Sequence, residues 1–261
     1  RRHRRKGLAH RPTNFLGLMS SFLSHRRRAF AAAGGNAAAY IAEQDVDSPL
    51  SRWLTPASGT AWDDDIVATG NDATSVNTPT LGAADPWAGT DGAFFERDNL
   101  EHLEAPHSAS LDITGALSLE CWIRVSSLST SFAGVVAKYS SSSGSYRCYG
   151  LSISAAGNAY FTLSSNGTFQ SANSLTGTST MGSAWHHIVA TYSPSSNQSL
   201  YVDGVLEDEK TSSVISSINS TANAPLQIAS WFDTTSTIYN FDGEIFAPTI
   251  YNTALSSTRV A

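Results

Sequence analysis

The sequence predicts an all-β sandwich, and three observations carry that prediction. The segment 185–206 (WHHIVATYSPSSNQSLYVDGVL) reads as two short strands around a polar turn, then a hairpin tipped by Asp203-Gly204. Asp-Gly between alternating apolar residues is the strongest short-range hairpin signal, because a type I′ turn needs positive φ at both central residues. Leu117, Leu119, Cys121, Ile123 and Val125 alternate along one strand face, with Ser118, Glu120, Trp122 and Arg124 on the other. Composition agrees. Hydrophobic residues at 41% suffice for a core, while charged residues reach only 15%. Ser, Thr, Gly and Ala fill the difference, which suits a turn-rich sheet protein better than a helical one.

In chain order, residues 1–47 read as an N-terminal extension and 48–261 as the globular part. The extension holds a basic head, an apolar island at 15–23 (FLGLMSSFL), a second basic cluster, and an Ala-rich stretch 29–42. The last has the makings of one or two helical turns, broken at Gly34-Gly35. Further strands are expected at 134–139, at 149–153, at 159–163 after the turn Ala156-Gly157-Asn158, at 225–229 and at 243–251. Pro248 inside the final strand predicts an edge position or a bulge there.

Charge is divided unevenly. Residues 1–28 carry nine Lys/Arg and no acid, leaving seven basic and 22 acidic residues, a net of −15, on the rest. A basic arm on an acidic body suits nucleic acid, a membrane surface or an acidic protein partner. Arg1, Arg2, Arg4, Arg5, Lys6, Arg26, Arg27 and Arg28 are the charged anchor candidates. Phe15, Leu16 and Phe22 supply apolar contacts that a phosphate-binding tail does not need, which favours a tether into neighbouring protein subunits over nucleic acid. No run approaches the ~20 apolar residues of a membrane span. Cys121 and Cys148 both fall in expected strands and read as buried thiols, with a single bridge as the alternative.

The wording of several segments adds to this. Ser58-Gly59-Thr60, the Asp-rich turn at Asp63–Asp65, Gly70-Asn71-Asp72, the run 89–125, VVAKY, YGLSISAAGNAYFTLSS, the 185–206 hairpin and FDGEIFAPTIYNTALS occur in order. Together they resemble laminin-G-like domains of the concanavalin A-like lectin/glucanase superfamily, over roughly residues 50–257. The resemblance implies a jelly-roll sandwich that binds rather than catalyses. The glucanases' Glu-x-Asp-x-x-Glu pattern is absent, and Glu207-Asp208-Glu209 follows a hairpin tip, so no catalytic residues are expected. His186 and His187 are neighbours in a strand and so point to opposite faces, which disfavours a metal pair.

The resemblance also implies a rim calcium site, with Asp63, Asp64, Asp65, Asp72 and Asp112 as sources of ligands. The usual acidic pair after Gly243 is missing, which tells against it. Glycan recognition calls for aromatic rings at loop tips, and Trp231, Phe232, Asp233, Tyr146 and Trp87 are the candidates. Domains resembling this one recur on bacteriophage virions. The resulting expectation is a non-enzymatic virion component that displays a lectin-like domain toward cell-surface glycans, the alternative being a secreted bacterial adhesion module.

Overall fold

The computed structural model describes residues 36–66, 70–140, 146–231 and 237–261. All the arm's anchor candidates, from Arg1 to Arg28, lie outside the described residues, as do Phe232 and Asp233. The chain opens with helix α1 (Ala37–Val46), capped by Asn36, whose Oδ1 accepts from Ala39 N at 2.9 Å. The first strands are β1 (Ser51–Arg52), β2 (Ala61–Trp62), β3 (Ala73–Val76), β4 (Thr80–Ala83), β5 (Gly92–Phe95) and β6 (His102–Ala105). Longer strands follow: β7 (Leu117–Val125), β8 (Ala133–Tyr139), β9 (Arg147–Ile153), β10 (Asn158–Leu163) and β11 (Ser174–Thr180). The last are β12 (Trp185–Ser193), β13 (Asn197–Val202), β14 (Val205–Lys210), β15 (Leu226–Ile228) and β16 (Gly243–Tyr251), before helix α2 (Ser257–Val260).

The strands form two antiparallel sheets, as expected. The first runs β14-β13-β12-β7-β16-β5-β4, with β1 also paired to β16. The second runs β11-β10-β9-β8-β15-β6-β3-β2. Between them lies one apolar core. Leu117, Leu119, Cys121 and Ile123 enter it from the first sheet, and Leu103, Tyr149, Leu151, Phe161 and Ile228 from the second. Both cysteines are buried and free.

Two local expectations hold. Asp203 and Gly204 have φ of 51° and 78°, the pair of positive values a type I′ turn requires. Asp203 also locks the tip onto β12, its carboxylate accepting from His187 N at 2.8 Å. Pro248 lies in a central strand, and the register of β16 on β7 shifts between Phe246 and Thr249, with Ala247 at φ 48°. The bulge is what admits a residue without an N–H.

The outward side of the first sheet is also covered. Tyr40 and Gln44, one turn apart on α1, face the sheet. Gln44 Nε2 donates to Thr249 Oγ1 at 3.0 Å and to Tyr40 Oη at 3.1 Å. Arg52, buried in β1, bonds the Ile41 carbonyl at 3.2 Å and pairs with Asp45 and Asp65. The division at residues 47 and 48 therefore crosses a packed unit, and α1 is part of the sandwich.

Candidate functional site

Asp64 Oδ1 accepts from Arg52 N and Ile66 N, both at 3.1 Å, and its Oδ2 from Asn71 N at 3.3 Å. Asp72 accepts from Asp64 N, and Asp65 is paired with Arg52. These carboxylates shape a turn, and Asp63 points outward into solvent. Asp112 stands with another group. Its Oδ1 lies 3.2 Å from Lys138 Nζ, a fully buried ammonium that also donates to the Thr221 and Ala224 carbonyls at 2.6 and 2.7 Å. Four of the five candidate carboxylates are thus committed to backbone N–H groups, a guanidinium and an ammonium, and the set does not fit calcium. Among the described residues no three His, Cys, Asp or Glu side chains are grouped to hold a metal ion.

The hairpin carboxylates are committed too. Glu207 Oε2 accepts from Thr178 N and Ser179 N at 2.9 and 3.1 Å, and Asp208 Oδ2 from Thr176 N at 2.8 Å. They cap the edge of β11 and join the two sheets along that side.

The glycan candidates separate onto opposite faces. Trp231 lies on the outward side of the second sheet. The Trp231 ring is 5% exposed and packs edge-on against Tyr139 at 4.6 Å, over Gly134, where a Cβ would meet Trp231 Cδ1 at 2.2 Å. Phe132 and Tyr239 pack against the same cluster. The Trp231 ring covers the sheet, since an indole this large is buried wherever a glycine gives it a floor. Tyr146 is half-buried at the end of a hairpin, its carbonyl accepting from Ser140 N at 3.3 Å.

Trp87 lies on the first sheet among residues the sequence reading did not single out as binding groups. In the register of β12, β7 and β16, His187, Trp122 and Phe246 form one outward row, and Trp185, Arg124 and Glu244 the next. Trp87 leans onto the first row, 5.5 Å from the Trp122 ring and 5.8 Å from Phe246, edge-on to both. Trp87, Trp122 and Trp185 are all half-buried and belong to one apolar cluster with Tyr40 and Phe246. Arg124 is set over the Trp185 ring at 5.5 Å and forks onto Glu244, with Nε to Oε2 at 3.0 Å and a second bond from Nη2 to Oε1. Three half-buried indoles, packed against Tyr40 of α1 and beside a planar ion pair, make an aromatic platform at the margin of the helix-covered face.

Buried polar groups hold the platform from below. Trp122 stacks on His187 at 5.0 Å, and His187 Nε2 lies 2.9 Å from Glu120 Oε1 and 3.2 Å from Tyr40 Oη. Glu120, with no exposed surface, also receives both Arg259 Nη atoms and the Tyr251 hydroxyl. Burial alone would raise the Glu120 carboxyl, but Arg259 and His187 beside it hold it well below the usual range. A rigid underside keeps the indoles in place. Trp122 and Arg124 were readable as one strand face. Trp185 was missed because nothing local places it beside Arg124.

Residues 97–261, more than half the chain, match the family model Laminin_G_3 of the concanavalin A-like lectin/glucanases superfamily. No curated protein sequence matches the chain. Among solved structures, it is similar to the binding domain of Paraclostridial Mosquitocidal Protein 1, with TM-score 0.63 and 14% identity over 82% of this chain and 51% of that one. The binding domain of Botulinum Neurotoxin DC in complex with SialylT gives TM-score 0.60 and 13% identity, over 82% and 50%. Trypanosoma rangeli sialidase in complex with sialic acid gives 0.53 and 15%, over 80% and 31%. The chain spans about half the length of the two toxin domains, and at these identities the likeness is one of fold. Two antiparallel sheets packed face to face, in the strand order above, are that concanavalin A-like fold, and the chain belongs to the Laminin_G_3 family of the concanavalin A-like lectin/glucanases superfamily.

Proposed function

We propose that this protein is a non-catalytic glycan-binding module whose ligand lies on the Trp87–Trp122–Trp185 platform. The observation that carries the reading is that platform: three half-buried indoles on one sheet face beside the Arg124–Glu244 pair. The C–H face of a pyranose ring lies flat on an indole, and a planar ion pair at the side offers both donors and acceptors to hydroxyls. The part of each indole left in solvent lies in one cluster, so the three rings present a shared aromatic margin rather than scattered contacts. The solved binding domains and the sialidase share the fold, and the neurotoxin domain is in complex with SialylT and the sialidase with sialic acid. The commitment of Glu207 and Asp208 to capping β11 supports a binding role over hydrolysis.

The test is a glycan array probed with the full chain and with a Trp87→Ala/Trp185→Ala variant. Binding that falls at least tenfold in the variant, with its melting temperature nearly unchanged, supports the platform. Equal binding by both proteins, or none by either, overturns it.

The wider setting follows from the charge division. The basic, partly apolar residues 1–28 anchor the module in a large assembly, a virion in this reading, and the acidic sandwich faces outward. Light scattering compares the full chain with residues 36–261. Assembly by the full chain beside a monomeric fragment supports the anchor, and two monomers argue against it.

A further inference from the structure

We infer that the platform selects uncharged glycans and discriminates against sialylated or uronic ones. The inference rests on the platform being the glycan site. Its basis is the charge arrangement, which is closed. Arg124 is the cation bordering the indoles, and its Nε and Nη2 edge is taken by both oxygens of Glu244. One flat side of the guanidinium lies over Trp185. The buried carboxylate behind the platform is matched as well, Glu120 with Arg259. A ligand carboxylate can reach only the N–H groups of Arg124 that Glu244 leaves free, where it would stand beside the Glu244 carboxylate and share a guanidinium charge already matched by it. Residues 29–261 carry a net charge of −15 and the whole chain −6, so the net charge also opposes an anion.

A neutral sugar meets none of these costs. Its hydroxyls accept from the N–H groups of Arg124 that Glu244 leaves free, and its apolar face covers indole carbon. Trp122 and Trp185 stand diagonally on neighbouring strands, a spacing of about 7–8 Å, so the platform is laid out for more than one sugar ring.

The experiment is an array that prints neutral oligosaccharides beside the same cores bearing a terminal sialic or uronic acid, probed with the full chain at physiological salt. The wild-type protein is expected to bind neutral members at least tenfold more strongly than their acidic counterparts. Glu244→Gln, which leaves Arg124 without its anion, is expected to narrow that ratio severalfold or invert it. If Glu244→Gln does not fold by its melting curve, Arg124→Gln is read instead and is expected to widen the ratio. Acidic members bound as well as or better than neutral ones overturn the selectivity and leave the glycan reading standing. A ratio that the folded variant does not move overturns the assignment to the Arg124–Glu244 pair. A silent array overturns the glycan reading and this inference with it.

Discussion

Glu120 and Arg259, 139 residues apart in sequence, are joined by two charge-assisted hydrogen bonds of 2.6 Å each, with the carboxylate wholly out of contact with solvent. The pair ties the last helix to the centre of the first sheet. Tyr251 donates to the same carboxylate at 2.7 Å, and Arg259 Nε bonds Asp47 at the end of α1. Breaking one partner of a buried pair leaves an uncompensated charge. Arg259→Met is therefore expected to cost about 3–5 kcal/mol of stability, measured by urea unfolding. A loss below about 1 kcal/mol would show that the network contributes little.

Acid should act on the same group. The Glu120 carboxyl is held below its ordinary value of 4.5, so its stabilisation is complete above that pH and is lost as pH falls toward the folded value. His102 adds an earlier step. Burial lowers its imidazole below 6.5 despite the Leu100 carbonyl 2.8 Å away, so the folded state resists its protonation, and stability declines as pH drops below 6.5. Melting temperature against pH should fall in two stages. A flat profile between pH 6.5 and 3 would contradict both.

Helix α1 should be needed for the sandwich. Removing residues 1–47 uncovers Phe246, Trp122 and His187 and leaves Arg52 without Asp45 and the Ile41 carbonyl. A fragment of residues 48–261 is expected to melt lower than one of 36–261 and to aggregate through the exposed sheet face. Equal melting temperatures would mean that the helix merely rests on the surface.

The thiols should be inert in the folded protein. Burial pushes Cys148 up to about 11, and Cys121, with Glu120 adjacent, higher still. A thiol reagent at pH 8 should label neither until denaturant is added, and rapid labelling of the native protein would refute their burial.

Gly243 is required where β16 begins. Its φ is +147°, and a Cβ there would lie 2.1 Å from the Arg124 carbonyl oxygen. Gly243→Ala should cost more than about 2 kcal/mol, seen as a lowered denaturation midpoint, and should shift Glu244 from Arg124.

Much of the fold was legible because it rests on local rules. The alternation from Leu117 to Val125, the Asp203-Gly204 tip and the bulge marked by Pro248 each follow from a backbone or side-chain period of a few residues. The site was less legible. Trp231 looked like a loop-tip ring and lies on Gly134, which belongs to another strand. Glu120 and Arg124 shared a face in sequence, but their partners Arg259 and Glu244 come from the far end of the chain.

The sequence by itself determined the two-sheet class, the main strands, the turn chemistry and the buried thiols, since these depend on residues a few positions apart. Only the tertiary structure decided that α1 and α2 pack on one sheet, that four of the five candidate Asp side chains are already committed, and that three tryptophans share a cluster. Those relations depend on the register of β12 and β16 against β7, and a shift of one residue would turn every side chain to the other face.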